Sequence, residues 1–275
     1  MKTILISGGT SYLGQMLINY LSSDYFLTVL VRDEKKFSII EENAQFEIIN
    51  ISNKKNLSAL NNKKYDIYIN LISDSSKVRN ISSAIKSINS NFFLNHKLLK
   101  KVISSNVKKV IQVNTYWQLL RGLDRRKFLI YTLGKRLISI YLKFKSRKNQ
   151  PYVAYLYLGD VYGEKDFRDK LIPKLLENIN LELKNQKAIY YPNNINDVLV
   201  SIENNIKSPE TIGHYVLFNE AIKVSDIAKI IKNFNNGKNI SIKKYSIQEH
   251  LQISENMIIN ENFKSFESQI KKEWF

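Results

Sequence analysis

Short apolar runs alternate with longer segments in which apolar residues recur every three or four positions, beginning at the third residue of a 275-residue chain. Runs at 3–7, 26–31, 46–50, 66–72, 109–114 and 152–158 read as strands, and segments at 13–22, 54–61, 82–105 and 131–145 as helices. Asp66-Ile-Tyr-Ile-Asn-Leu-Ile72 and Lys109-Val-Ile-Gln-Val-Asn114 are mostly apolar throughout, as strands covered on both faces must be. The alternation predicts an α/β fold, a doubly wound parallel sheet with helices above and below. Beyond about residue 160 the pattern loosens into a helix at 168–184, a short strand near 187–191, a helix near 195–206, a strand at 214–218 and a helix opened by Ser225. A nucleotide-binding domain over 1–165 is expected, with 186–206 returning to it and 166–275 forming a smaller lobe over which the polar end of the chain drapes.

Composition narrows the chemistry. With no cysteine, disulfides and thiolate catalysis are excluded, and without a leader or an apolar run of about 18 residues a cytosolic protein is expected. His96, His214 and His250 are too scattered to suggest a metal cluster. The net charge of +17 draws nucleic acid, an anionic membrane surface or an anionic small substrate alike. Because the lysines are spread among many asparagines and isoleucines rather than gathered in a stripe, nucleic acid is not expected as a partner. A basic helix over 129–148 carries Leu129, Leu133, Leu137, Ile140 and Phe144 on one side, which suits either a membrane surface or a homodimer face.

The first strand runs directly into Gly8-x-x-Ser11-x-x-Gly14 and then into a helix. Gly8 permits the tight turn, Gly14 permits close helix-to-strand packing, and the helix start offers free N–H groups to a diphosphate. Ser11 stands where a third glycine is usual. The second strand ends Val31-Arg32-Asp33, with Arg32 24 residues after Gly8. An acidic residue at that tip binds a ribose 2′-hydroxyl, whereas an arginine accommodates a 2′-phosphate, so NADP(H) is favoured over NAD(H). Lys35 or Lys36 would be secondary phosphate partners, and Asn50 and Ile51, ending the third strand, are candidates for the adenine pocket.

Tyr131 and Lys135 lie four apart on one helix face, 16 residues after Thr115 at the end of the fifth strand. A phenol titrating near 10 exchanges a proton at neutral pH only when a nearby cation favours its anion, and Lys135 would supply that charge. A second such pair, Tyr141 and Lys145, sits mid-helix with no strand end before it and reads as surface.

Taken together, these residues resemble the extended short-chain dehydrogenase/reductases of the NAD(P)-dependent epimerase/dehydratase family, over nearly the whole chain. The likeness is carried by Ser7 to Gly14, Asn91-Phe-Phe-Leu-Asn-His-Lys-Leu-Leu99, Asn114-Thr115, Tyr131 with Lys135, Asp160-Val-Tyr-Gly163, Tyr215-Val-Leu-Phe-Asn219 and Val224-Ser-Asp-Ile-Ala228. The resemblance implies a Rossmann fold with a C-terminal substrate-binding lobe and a catalytic Thr115, Tyr131 and Lys135. It implies cofactor contacts from Gly8, Thr10, Ser11, Tyr12, Leu13 and Gly14, from Arg32, Asn50 and Ile51, from Leu71, Ile72 and Ser73, from Asn91, which would also support the active-site helix, and from Val113, Tyr131, Lys135, Leu158 and Val161, with Lys135 on the nicotinamide ribose. Substrate contacts would come from Ser73, Asn114, Thr115, Trp117, Asp160, Arg168 and Lys170, the last two gripping a diphosphate as they open a second-lobe helix. Trp117 and Arg121 are candidates for the sugar.

Leu158-Gly-Asp-Val-Tyr-Gly-Glu-Lys-Asp-Phe-Arg-Asp-Lys-Leu-Ile-Pro173 is most similar to the CDP-abequose and CDP-paratose synthase group, which reduces a 4-keto-deoxy sugar on a nucleotide carrier. Tyr157 departs from the arginine of many relatives, and the interval from Thr115 to Tyr131 is shorter than usual. Dehydratases of the family carry an acidic pair after the catalytic threonine. Here Tyr116 and Trp117 follow instead, which disfavours dehydration. The expected activity is NADPH-dependent reduction of a nucleotide-linked 4-keto-deoxy sugar, in precursor synthesis for a surface polysaccharide such as O-antigen, by a homodimer. Alternatives are a 4-epimerase with retained NAD and a non-catalytic redox-sensing module of the same fold.

Overall fold

The computed structural model describes residues 1–37, 46–53, 56, 60, 63–75, 78–121, 129–146, 151–178, 181–183, 185–208, 212–235, 245–260 and 263–274. Strand β1 (Thr3–Ser7) leads into helix α1 (Tyr12–Leu21), followed by β2 (Phe26–Val31), β3 (Phe46–Asn50) and β4 (Ile67–Asn70). Helix α2 (Ile81–Ile88) passes through a π-helical turn at Asn89–Leu94 into α3 (Asn95–Ser104) and then β5 (Lys109–Thr115). Helix α4 (Leu129–Ser146), β6 (Tyr152–Leu158), β7 (Asp160–Tyr162) and α5 (Leu171–Glu177) come next. The remainder comprises β8 (Ile189–Tyr190), β9 (Pro192–Asn194), α6 (Ile195–Lys207), β10 (Gly213–Val216), β11 (Ile222–Lys223), α7 (Val224–Asn235), α8 (Ile247–His250), β12 (Met257–Ile259) and α9 (Phe266–Trp274).

Eight strands form one parallel sheet in the order β12-β10-β6-β5-β4-β1-β2-β3. The chain winds outward from β1 through β2 and β3, then crosses back to lay β4, β5 and β6 on the other side. The reversal between β1 and β4 opens a crevice at the carboxyl ends of the strands, where such sheets bind ligands. Side-chain alternation divides the core: Ile4 and Ile6 pack with Leu17 and Ile18 of α1 on one face, while Leu5 packs with Leu98, Leu99 and Ile138 on the other. A third cluster, with Ile172, Leu175, Ile227, Ile230, Ile231, Phe266 and Ile270 at its centre, joins α5, α7 and α9.

The six expected strands of the first half are all present. The expected helix over 82–105 is broken by the π-helical turn, which rotates Asn91 inward to full burial. The helix expected at 54–61 falls almost wholly outside the described residues. The one expected over 168–184 spans only Leu171–Glu177, and 179, 180 and 184 lie outside the described residues. Strands β10 and β12, both from the 166–275 stretch, extend the main sheet beyond β6. The end of the chain is helical, with Phe266 and Ile270 anchoring α9 in the third cluster.

Turn chemistry at the start of α1 accounts for Ser11. Its backbone is extended (φ −78°, ψ 160°), its hydroxyl accepts from the Gly14 N–H at 3.0 Å and donates to the Gly8 carbonyl at 2.8 Å. A serine that caps the helix thus takes the third glycine's place, and nothing in the local backbone requires glycine there. Gly8 has φ +81° with Leu71 against it, and a Cβ on Gly14 would fall 2.4 Å from the Gly8 carbonyl oxygen. Those two positions are closed to side chains.

Along α4 the exposed face carries Leu129, Leu133, Leu137, Ile140 and Phe144, and Ile81, Ile85 and Phe93 are also exposed on the neighbouring helical segment. Residues 147 and 148 of the expected basic helix lie outside the described residues. No helix among the described residues is long and apolar enough to cross a membrane.

Candidate active site

A trench runs across the carboxyl ends of the sheet in two connected parts. The smaller, about 120 Å³, lies over β1 to β4, and the larger, about 380 Å³, lies between β5, α4 and the segment after β6; Thr10, Ser11, Leu71 and Ser73 line both. Gly8, Arg32, Ile51 and Ile72 line the smaller part, with Leu30, Val31, Ser90 and Leu94. Tyr12, Leu13, Val113, Tyr131, Lys135, Leu158 and Val161 line the larger. Thr115, Trp117, Asp160, Arg168 and Lys170 share that wall. The fold therefore brings most of the sequence-derived site residues into one continuous space.

Lys135 is buried beneath this trench, its ammonium donating to the Ile72 carbonyl at 2.7 Å and the Val113 carbonyl at 2.9 Å. Burial holds its pKa down to about 7. One turn earlier on α4, Tyr131 brings its hydroxyl to 2.7 Å from Ser73 Oγ and receives Trp117 edge-on, with ring centroids 5.3 Å apart. Burial pushes the phenol up to about 12; the Ser73 hydrogen bond pulls it down and the Asp74 carboxylate raises it. This corrects the expected electrostatics. Burial outweighs any help from Lys135, whose donors are turned to strand carbonyls, and Ser73 is the group that favours the phenolate.

Thr115 ends β5 and caps the short turn Tyr116–Gln118, accepting from the Trp117 N–H at 3.4 Å. Beside it lies Asp160, raised to about 6 by burial and lowered in turn by the Tyr116 hydroxyl, the Tyr191 N–H, Lys170 and Arg168. Burial, helped by the same carboxylate, holds Tyr116 well above the phenol range.

Three of the expected contact residues have their side chains engaged by the protein itself. Asn91 spends its side chain on the loop after β4, accepting from the Asp74 N–H at 2.9 Å and donating to the Asp74 carbonyl at 2.9 Å and to Ser87. It also lies against Gly134, where a Cβ would come within 2.8 Å of its own, so the glycine between Tyr131 and Lys135 lets the π-turn dock. Asn50 closes its own turn by accepting from the Ser52 N–H at 3.0 Å and does not line the trench. Asn114 touches the trench, but its buried amide lies between Gln112 and Ser139. Gly14 does not line either part of the trench; its N–H is held by the Ser11 hydroxyl, and a Cβ there would meet the Gly8 carbonyl.

Arg168 and Lys170 do not open α5 as helical residues. Lys170 is the residue before its first turn, and Arg168 lies in the preceding loop, forked onto Asp166 at 2.6 and 2.7 Å and over the Tyr12 ring at 4.5 Å. Arg121 points away from the trench and donates to the Leu251 carbonyl at 2.9 Å. Lys35 is exposed, and the side chain of Lys36 lies outside the described residues. Sequence reasoning missed Phe167 and Tyr190, which help enclose the larger part. No spacing signal marks them: Phe167 sits in an irregular loop, and Tyr190 ends the two-residue strand β8, whose placement only the fold sets.

The family profile of the NAD dependent epimerase/dehydratase family matches residues 4–197, and the chain belongs to that family of enzymes. No curated protein sequence matches it. Among solved structures, it is similar to UDP-glucose 4-epimerase of Thermus thermophilus in complex with NAD, at 13% identity and a TM-score of 0.73, covering 98% of this chain and 97% of that one. It is similar to the enzyme WbmG of Bordetella bronchiseptica in complex with NAD and UDP, at 12% identity and TM-score 0.72 over 98% and 92% of the two chains. The ADP-L-glycero-D-manno-heptose-6-epimerase of Helicobacter pylori is 17% identical with TM-score 0.70, over 99% and 94%. At these identities the likeness is one of fold.

Between about pH 7 and the ordinary lysine value of 10.5, Lys135 is neutral in the folded protein and charged in the unfolded chain. The unfolded chain then binds the extra proton, so this lysine's contribution to stability rises with pH across that window. Measured by thermal melting, wild type is expected to gain several degrees relative to Lys135→Met between pH 7 and pH 10. A difference that stays flat with pH would contradict the burial assignment.

Proposed function

We propose that this enzyme reduces a ketone on a nucleotide-linked deoxy sugar with NADPH. The observation that carries the reading is the convergence of Tyr131, Lys135 and Thr115 on a trench that continues, through Ser73 and Leu71, into a glycine-turned diphosphate cradle. The cradle suits a dinucleotide: Gly8 and Gly14 leave no room for a Cβ, and the α1 start is open to the trench at Thr10, Ser11, Tyr12 and Leu13. When bound, the nicotinamide supplies the hydride.

The chain's own residues do the rest. Tyr131, protonated through neutral pH, gives its proton to the substrate's carbonyl oxygen as that oxygen gains charge. Thr115 keeps its own O–H available to orient the same oxygen, while its lone pair holds the Trp117 N–H. Lys135 in its protonated form fixes the nicotinamide ribose with the third donor, beyond those on Ile72 and Val113. Asp160 and Lys170 line the sugar-nucleotide side, together with Arg168 once released from Asp166. Tyr116 and Trp117, where dehydratases have acids, leave no second proton-transfer pair after Thr115.

Exposed Arg32 lines the smaller part, where the ribose 2′ position would lie, and supports NADP(H). Asp33 beside it is turned away, accepting from the Lys35 N–H at 3.1 Å. A second reading, 4-epimerisation with retained NAD, is favoured by the family to which the chain belongs. For the exposed row on α4, the occupant that fits is a second copy of this chain, because the patch is apolar and continuous with Ile81, Ile85 and Phe93, so that two copies bury it against each other.

Tyr131→Phe is expected to lose turnover by at least about a hundredfold while the NADPH dissociation constant is unchanged; retained turnover would remove the assignment. Arg32→Asp should shift the NADPH/NADH preference in kcat/KM by about tenfold or more toward NADH, and an unchanged ratio would contradict the cofactor reading. In sedimentation velocity the wild type should run as a dimer and Ile140→Asp as a folded monomer; a monomeric wild type would exclude the second copy.

A further inference from the structure

We infer that Ser73 is a positioning residue for Tyr131, donating a hydrogen bond to the phenolate that forms when the proton leaves. The inference rests on the reading of Tyr131 as proton donor. Its basis is the 2.7 Å separation of Ser73 Oγ and Tyr131 OH. Either hydroxyl can donate while the phenol is protonated, but a phenolate can only accept, so the bond persists through proton transfer only with Ser73 as donor. Such a bond to a charged oxygen is stronger than its neutral counterpart.

The serine is held for this task from both sides. Its predecessor Ile72 receives the Lys135 ammonium at 2.7 Å and donates its N–H to Asn70 Oδ1 at 3.3 Å. Its successor Asp74 is clamped at both N–H and carbonyl by Asn91. Asn91 also lies against Gly134, so one residue fixes the serine's loop and the turn of α4 that carries the tyrosine. No hydrogen bond joins Thr115 to Tyr131 among the described residues. The two hydroxyl side chains therefore divide the work, Thr115 toward the substrate and Ser73 toward the phenol.

The groups facing the Tyr131 hydroxyl are Ser73 and Asp74 from the loop after β4 and the uncharged indole of Trp117 from the turn after β5, while Lys135, one turn on in its own helix, is bonded to the Ile72 and Val113 carbonyls. Removing Ser73 takes away the contact that favours the anion, which weakens the acid and moves its titration upward. The test uses CDP- and UDP-linked 4-keto-6-deoxy sugars with NADPH. For Ser73→Ala, kcat is expected to fall about tenfold, with KM for sugar and NADPH within about twofold. Ser73→Thr, which keeps a hydroxyl, should restore kcat, and NADPH binding read by tryptophan quenching should be the same in all three proteins. Wild-type kcat in Ser73→Ala, alongside an inactive Tyr131→Phe, would overturn the inference alone. A Tyr131→Phe protein that still turns over would remove the proton-donor reading and the Ser73 inference with it.

Discussion

A buried ammonium bridging two strand ends is the constraint on which the site depends. Lys135 reaches from α4 to the carbonyls of Ile72 and Val113, and so ties that helix to the outflow of β4 and the end of β5. Desolvating a lysine is costly, and it is tolerated here because the bonded carbonyls belong to backbone whose course the parallel sheet fixes. With the helix pinned at Lys135, Tyr131 one turn away can only lie over the same strand ends. The phenol's position is thus a consequence of sheet geometry and helical period.

Beneath the trench the sheet carries an unusual amount of polarity for its core. Ser7 bonds Tyr68 and Asn70, Asn70 donates to Asn95 and Gln112, Gln112 donates to Asn114, and Asn114 donates to Ser139 on α4. This buried chain runs from the residue before Gly8 to the helix bearing Tyr131 and Lys135, so the glycine turn and that helix share one hydrogen-bonded floor. Such networks specify a single arrangement because each member left unpaired would cost the desolvation of its group.

Much of this was legible in the sequence where local rules govern. The strand-glycine-helix opening, the four-residue interval from Tyr131 to Lys135 and the arginine at the β2 tip each follow from turn chemistry or helical period, and Ser11 proved to be a helix cap. What could not be read was set by contacts distant in sequence. Asn91 resembled a ligand contact, because an asparagine on a helix looks the same whether it faces a ligand or the backbone of a loop 17 residues away. The π-turn that buries Asn91 has no periodic signature within an otherwise continuous helical pattern. Ser73 was recognised as belonging to the site, but its bond to a residue 58 positions away needed the fold.

Hydride transfer to a sugar ketone at the expense of NADPH is the central claim, and the spectrum of the reduced nicotinamide reports it directly. Incubation of the purified protein with NADPH and a panel of nucleotide-linked 4-keto sugars should consume one NADPH per ketone lost with at least one member of the panel, leaving no cofactor bound to the isolated protein. Tightly held NAD that copurifies, with sugars interconverted and no NADPH consumed, would contradict the account and establish epimerisation in its place.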